Sequence, residues 1–183
     1  MTGRIGAGKE TLIRFLVYKG FAYLESSKLL NEELQRRGLE ITRKNQQDLG
    51  DEWRKKYGHG ALMKKFLDKI DITKNYIIDS LRNKGEIDFL RKYLKDVVII
   101  AVDAPQEIRF RRIQERGKSS DPQTWEEFVK VDSRDYFDIE NPNGQQVKLC
   151  MEQADFIYMN NENFENINKE TEKIWNEIKD KMY

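Results

Sequence analysis

The chain of 183 residues is poor in the residue types that mark several large protein classes. It has a single cysteine, Cys150, so an intrachain disulfide is excluded and a reducing, cytoplasmic setting is the simple reading. Its one histidine, His59, and lone cysteine cannot supply the H-x-E and C-x-x-C ligands of a zinc deaminase site. No apolar stretch approaches the roughly 20 residues that span a bilayer, and the N-terminus lacks the apolar core of a signal peptide. Thirty-three basic residues nearly balance thirty-two acidic ones, so no global charge points to nucleic acid or a membrane surface as partner. With only three prolines there is no linker-like stretch, and no internal repeat divides the chain.

What is present is a densely ionic surface, 36% charged residues, around short apolar runs such as Val97–Val102. A disordered chain lacks such runs. Strands are expected at Phe21–Leu24, at Tyr76–Ile78 ending on Asp79, at Val97–Val102 ending on Asp103, and at Phe156–Met159. Helices are expected from the N-terminal glycine-rich loop to about Lys19 and over Ser27–Arg37. Others should run from a Thr42 cap through Lys56, from Pro105 to Arg116, and from about Thr124. A closing amphipathic helix is expected over Asn163–Met182, with Phe164, Ile167, Ile174 and Ile178 inward. This alternation predicts a single α/β domain with a mainly parallel sheet and helices on both faces.

The sharpest motif is Gly3-Arg4-Ile5-Gly6-Ala7-Gly8-Lys9-Glu10-Thr11, a G-x-x-x-x-G-K phosphate loop. Gly3, Gly6 and Gly8 permit tight turns that aim amides, including that of Ala7, at phosphate oxygens. Lys9 adds charge at the β- and γ-phosphates of ATP, and the following helix presents its positive end. The residue after the lysine is ordinarily Ser or Thr, whose hydroxyl binds Mg2+. Here it is Glu10, so the metal is expected at Thr11 or through water, or else the nucleotide is held weakly. Only Met1 and Thr2 precede Gly3, so the strand that normally feeds such a loop is missing or truncated. The expectation is that Met1 lies downstream of the true start or that the chain is a fragment.

Asp79 stands at a strand end, where α/β folds place ligand sites, and can hold magnesium through water or take an acceptor's proton; the plain alternative is a helix cap. Asp103 reads as a structural cap. Arg109, Arg112 and Arg116 recur at three and four residues and share a helix face that can clamp a transferring phosphate. The alternative is a solvated face paired with Glu107 and Glu115. Arg82 is placed to meet an acceptor phosphate, and Arg134 to add a further charge. Trp53, Trp125 and Trp175 read as packing residues. No Asp-x-x-Gly or Asn-Lys-x-Asp supports a GTPase switch.

The phosphate loop, the segment Asp79-Ser80-Leu81-Arg82-Asn83 and the arginine-rich Arg109–Arg116 together resemble the P-loop nucleotide kinases, the group of nucleoside monophosphate kinases and dephospho-coenzyme A kinase. Gln47-Asp48-Leu49-Gly50-Asp51-Glu52 and Asp121-Pro122-Gln123-Thr124-Trp125-Glu126-Glu127-Phe128 are similar to segments of a prokaryotic AAA-type ATP-binding branch. The resemblance covers almost the whole chain. It implies a P-loop NTPase three-layer fold, a helical acceptor insert over about 26–70, and an arginine-rich mobile lid over about 112–134. It further implies ATP and Mg2+ as cofactors, γ-phosphoryl transfer to a nucleotide acceptor, and catalytic roles for Lys9, Asp79, Arg112 and Arg116. Arg109 and Asn160 fall at nucleotide-framing positions, although Asn160-Asn161 is also a good turn pair. Where related enzymes put an arginine in the acceptor region this sequence has Asn31, leaving Arg43, Arg54 and Arg82 as candidate acceptor ligands. A nucleotide-binding module without kinase chemistry is the rival reading.

Overall fold

The structure, a computed structural model, describes residues 1–161 and 164–181, and no side chain of 164–168 or 181. Phe164 and Ile167, expected inward, and the expected helix limits Asn163 and Met182 therefore lie outside the description. The elements run β1 Thr2–Gly3, α1 Glu10–Tyr18, β2 Ala22–Glu25, α2 Ser26–Arg36, α3 Arg43–Tyr57, α4 Ala61–Leu67, β3 Tyr76–Asp79 and α5 Lys84–Tyr93. They continue with β4 Ile100–Asp103, α6 Gln106–Arg116, α7 Trp125–Tyr136, α8 Val147–Glu152, β5 Phe156–Met159 and α9 Phe164–Ile178.

All ladders are parallel. β1 pairs with β4 and β4 with β5, while β2 pairs with β3. A single bridge, Thr2 to Leu81, spans the two groups. Successive side chains of a strand face opposite ways, and the core divides accordingly. Ile77, Ile100, Val102 and Tyr158 pack with Leu12, Ile13 and Leu16 of α1 and Ile174 and Ile178 of α9. Ile78, Leu81 and Ile99 pack on the other side with Leu49, Trp53, Leu62, Phe66 and Ile87 from α3, α4 and α5. The result is the expected parallel sheet between helical layers.

Local chemistry sets the boundaries. Thr42 accepts the amide of Asn45 at the start of α3, and Thr124 and Glu127 form a reciprocal capping box on α7. Pro105 is the N-cap of α6 rather than part of its first turn. Asn83 and Glu86 close a second capping box on α5, a helix the sequence reading passed over. The tryptophans pack: Trp125 meets Phe110 and Phe128, Trp175 meets Phe15, and Trp53 is buried.

Two strands depart from expectation in the same place. The ladder of β4 begins at Ile100, so Val97–Ile99 of the predicted strand stay outside it. β1 is two residues long, in keeping with the short stretch ahead of the loop. The α-amino group of Met1 is consequently buried and donates to the Ile78 carbonyl. Burial lowers its pKa from the ordinary 8.0 to about 6, with Asp79 pulling the other way. Between those values the unfolded chain holds a proton that the folded chain does not, so stability is lost as pH falls through this window. Unfolding free energy is expected to rise by about 2 kcal/mol from pH 6 to pH 8, and N-terminal acetylation should abolish the rise. Equal pH profiles for the free and acetylated chains in urea titrations would contradict a buried α-amine.

Candidate functional site

The phosphate loop leaves β1 and turns into α1 through Gly6 and Gly8, both at positive φ, 76° and 85°. A Cβ on Gly6 would strike the Arg109 carbonyl, and one on Gly8 the Asn160 amide, so packing as well as dihedral angle demands glycine. Lys9 is the N-cap of α1 and gives no side-chain hydrogen bond to the first turn. The donors of that turn, which have no partner inside the helix, border a cleft of about 700 Å³.

Gly6, Ala7, Gly8, Lys9, Glu10 and Thr11 line the cleft on one side; Asp79, Arg82, Arg112, Arg116, Arg43 and Asn160 line the rest. The Lys9 ammonium lies 3.8 Å from Asp79 Oδ1, and both side chains are largely buried. Burial opposes ionisation of Asp79, but Lys9, the Met1 α-amine, the Ser80 amide and Arg82 together hold its pKa below the ordinary value. Asp79 Oδ1 accepts no hydrogen bond among the described residues. Ser80 beside it has φ 67°, a left-handed conformation that costs a non-glycine residue energy and is typical of sites.

Seven basic and five acidic side chains line the cleft, and the excess is felt at Lys9. Its pKa is lowered first by burial, with Asp79 opposing, and then by Arg82, Arg43 and Arg116. Arg43 donates to Gln46 Oε1 at 3.2 Å while its buried Nε has no partner. Gln46 in turn donates to Asn31 Oδ1 at 2.6 Å, so Asn31 orders this wall rather than presenting charge. Arg116 makes a bidentate pair with Asp121, and Arg112 donates to the Ala7 carbonyl at 3.1 Å and to Asn160 Oδ1 at 3.0 Å. Asn160 itself donates to the Ala7 carbonyl at 3.0 Å, bracing the loop from β5. Glu10 lies at the rim, mostly exposed and 3.9 Å from Arg14, and Thr11 is exposed.

Three predicted site residues lie outside this lining. Gly3 is in β1, and its carbonyl accepts from Arg82 at 3.0 Å. Arg109 is buried beneath the loop, donating to the Ile5 carbonyl at 3.2 Å, to the Ala104 carbonyl at 2.9 Å and to Asp132. Arg54 is buried between Asp51, Glu86 and the Asn143 carbonyl, joining the insert to the chain ahead of α8. The three-and-four spacing places Arg109, Arg112 and Arg116 on one face of α6. The loop packs so tightly on α6 that this face passes from beneath it, through its rim, to the open cleft.

The residues that sequence reasoning missed are carboxylates of α7. Asp132, fully buried, accepts from Arg4, Arg109 and Gln106. Asp135, one turn on, lies 3.3 Å from Arg82 and accepts from Gln47 at 2.6 Å. Arg134 between them donates to Asp48 at 2.7 Å and Asp51 at 3.0 Å. The Phe128 of the same helix is buried, while residues 117–124 join α6 to α7, with Lys118, Ser120 and Asp121 along the cleft. Among the described residues no group of three or more His, Cys, Asp or Glu is arranged to hold a metal, and no helix is long and apolar enough to cross a membrane.

A phosphate loop at the head of a helix, a strand-end carboxylate against its lysine, and a parallel sheet between helices define a P-loop protein of the nucleotide kinase-like type. A family model described as an AAA domain matches residues 1–136. UPF0200 protein TK1334 of Thermococcus kodakarensis is 29% identical, spanning 100% of this chain and 98% of the relative. A UPF0200 protein of Sulfurisphaera tokodaii is 31% identical, spanning 97% and 95%. The chain belongs to the AAA domain family and to the UPF0200 proteins. Among solved structures, TT1252 from Thermus thermophilus is alike in fold, with a TM-score of 0.56 over 97% of this chain and 95% of that one at 18% identity.

Asp132 pairs with Arg109, which is buried, and Arg4, which is partly buried, so removing its charge leaves a buried guanidinium unpaired. Asp132→Asn is expected to lower unfolding free energy by roughly 3–5 kcal/mol in urea titrations. A loss below about 1 kcal/mol would show that the pairing is not structural.

Proposed function

We propose that this protein is an ATP-dependent kinase that transfers the γ-phosphoryl group to a nucleotide or a nucleotide-containing cofactor. The observation that carries the reading is the convergence of Lys9, Arg43, Arg82, Arg112 and Arg116 with Asp79 on one cleft. Phosphoryl transfer needs little covalent chemistry from the protein; it needs two substrates held in line and their charge offset. In this reading the loop amides and Lys9 hold the β- and γ-phosphates of ATP. Arg43 and Arg82, across the cleft, hold an anionic group of the acceptor. An acceptor oxygen bonds to the γ-phosphorus as the bond to the β–γ bridging oxygen breaks, and ADP leaves.

The residues present also fit Mg2+. Asp79 keeps a buried, ionised oxygen without a hydrogen bond, and the Thr11 hydroxyl lies at the same mouth. Glu10 occupies the usual hydroxyl position, so Asp79, acting through water, is the first candidate ligand. Bound magnesium would offset phosphate charge as it moves to the leaving group. Arg112 and Arg116, in the last turns of α6 ahead of the α6–α7 loop, supply cationic charge over the transferring group. Asp79 keeps Lys9 directed into the cleft, and an ionised Asp79 is also able to take a proton from an acceptor hydroxyl. Closure of the α6–α7 segment would remove water that otherwise hydrolyses ATP. A cytoplasmic protein acting on small molecules, without nucleic acid or membrane, is part of the same reading.

The test is a radiolabelled γ-phosphoryl transfer assay with MgATP against nucleoside monophosphates and dephospho-coenzyme A. One acceptor is expected to be labelled, and Arg82→Ala should raise its KM by about 10-fold or more, as for loss of a charged hydrogen bond. MgATP binding with no label on any acceptor would favour a nucleotide-binding module, the reading to which Glu10 and Asn31 lend weight.

A further inference from the structure

Three guanidinium groups share one end of the cleft, and two carboxylates answer them in different ways. Arg43 comes from α3, Arg82 from the segment after β3, and Arg116 from the last turn of α6. Asp135 belongs to a helix, α7, and is tied twice, lying 3.3 Å from Arg82 and accepting from Gln47 at 2.6 Å. Asp121 belongs to residues 117–124, which lie in no helix or strand. Its Oδ2 accepts from Arg116 Nε at 2.5 Å and its Oδ1 from Arg116 Nη2 at 2.8 Å. The same Oδ1 faces Arg43 Nη2 across the cleft at 4.0 Å.

That contact balances charge without spending donors. Charge-assisted hydrogen bonds run at about 2.7–2.9 Å, so 4.0 Å leaves Arg43 Nη2 close to an anion it does not reach. Arg43 gives one hydrogen bond, to Gln46 at 3.2 Å, and its buried Nε has no partner. Burial lowers its pKa; Asp135 and Asp121 oppose that shift, while Arg82 and Arg116 add to it. Asp121 is itself 5% exposed, unlike the solvated acids of a surface pair. Its backbone bonds stay within its own segment: the amide donates to the Lys118 carbonyl at 2.9 Å and the carbonyl accepts from Gln123 at 2.8 Å. The carboxylate can therefore turn away from Arg43 without breaking a helix or a strand.

We propose that Asp121 is an internal counter-anion, standing between Arg116 and Arg43 where a ligand's anionic group stands in the occupied cleft, and that binding displaces it. The inference deepens the kinase reading, in which Arg43 meets the acceptor's anion, and rests on that reading for the role of the bound group. Displacement sets the chemistry of that group. A carboxylate or a phosphate diester brings one negative charge and merely replaces the one that Asp121 withdraws. A phosphate monoester brings nearly two at neutral pH, since its second pKa is about 6. Its three oxygens also suit the donors of Arg43 that a carboxylate held by Arg116 leaves unmet. The ligand this corner selects carries a phosphate monoester, and Asp121 is the residue that turns away its monoanionic analogues.

NMR titration of the full chain at pH 8 with methyl phosphate, a dianion, and dimethyl phosphate, a monoanion, tests this without nucleotide. The wild-type protein is expected to bind methyl phosphate about 10-fold or more tighter than dimethyl phosphate. Asp121→Asn should strengthen both by about 10-fold, as for release of a charged hydrogen bond. That gain should persist when Lys9→Ala is added, and vanish when Arg43→Gln is added instead. Equal affinity for the two esters in the wild type overturns the proposal. So does methyl phosphate binding that is unchanged or weakened in Asp121→Asn, which would make Asp121 a brace for Arg116. A gain that depends on Lys9 and not on Arg43 would place the anion at the phosphate loop and also overturns it. Should Asp121→Asn not fold, the carboxylate 13C resonance of Asp121 in the wild type is expected to move on saturation with methyl phosphate, and an unmoved resonance overturns the proposal. A chain that labels no acceptor can still pass these titrations, whereas a labelled acceptor beside an indifferent Asp121 sinks this inference alone.

Discussion

A buried carboxylate on α7 holds the phosphate loop in place. Asp132 is fully enclosed and accepts from Arg4 inside the loop and from Arg109 beneath it. Arg109 passes the restraint on, through the Ile5 and Ala104 carbonyls, to the start of the loop and the end of β4. Burying the Arg109 guanidinium is tolerable only because this carboxylate and the carbonyls satisfy it. The loop needs such outside support because its own glycines provide none.

From this anchor the rest of the cleft follows along α7. One turn beyond Asp132, Asp135 meets Arg82 from the end of β3 and Gln47 from α3, and Arg134 meets Asp48 and Asp51 of α3. One helix thereby ties the phosphate-loop side of the cleft to the α3 side. Its carboxylates partly offset the cations that crowd the cleft, while Lys9 still senses a positive surround. In the kinase reading that residual charge is what draws two anionic substrates to the same place. In the same reading, fixed pairs keep the arginines oriented before a ligand arrives, as transfer requires.

Much of this was legible in the sequence, and the failures have physical causes. The glycine and lysine spacing announced the loop because backbone geometry leaves few substitutes at Gly6 and Gly8. Asp79 was legible as the end of an apolar run. Helix α5 carried a readable Asn-x-x-Glu cap that went unread, and α4 and α8, seven and six residues long, are too short for periodicity to declare. Arg54 and Arg109 had the right residue type and spacing, but a pattern cannot tell a guanidinium aimed at a ligand from one enclosed by carboxylates. Asp132 and Asp135 were missed for the converse reason: in a chain so rich in charge, two acids on a helix carry no signature until the fold brings arginines from distant segments to them.

The central claim is that this loop and its lysine hold the phosphates of ATP, and calorimetric titration with MgATP tests it most directly. The account predicts one site per chain in the wild-type protein and a loss of affinity of about 100-fold or more in Lys9→Ala, with thermal stability largely retained. Equal affinity in the two proteins would contradict it.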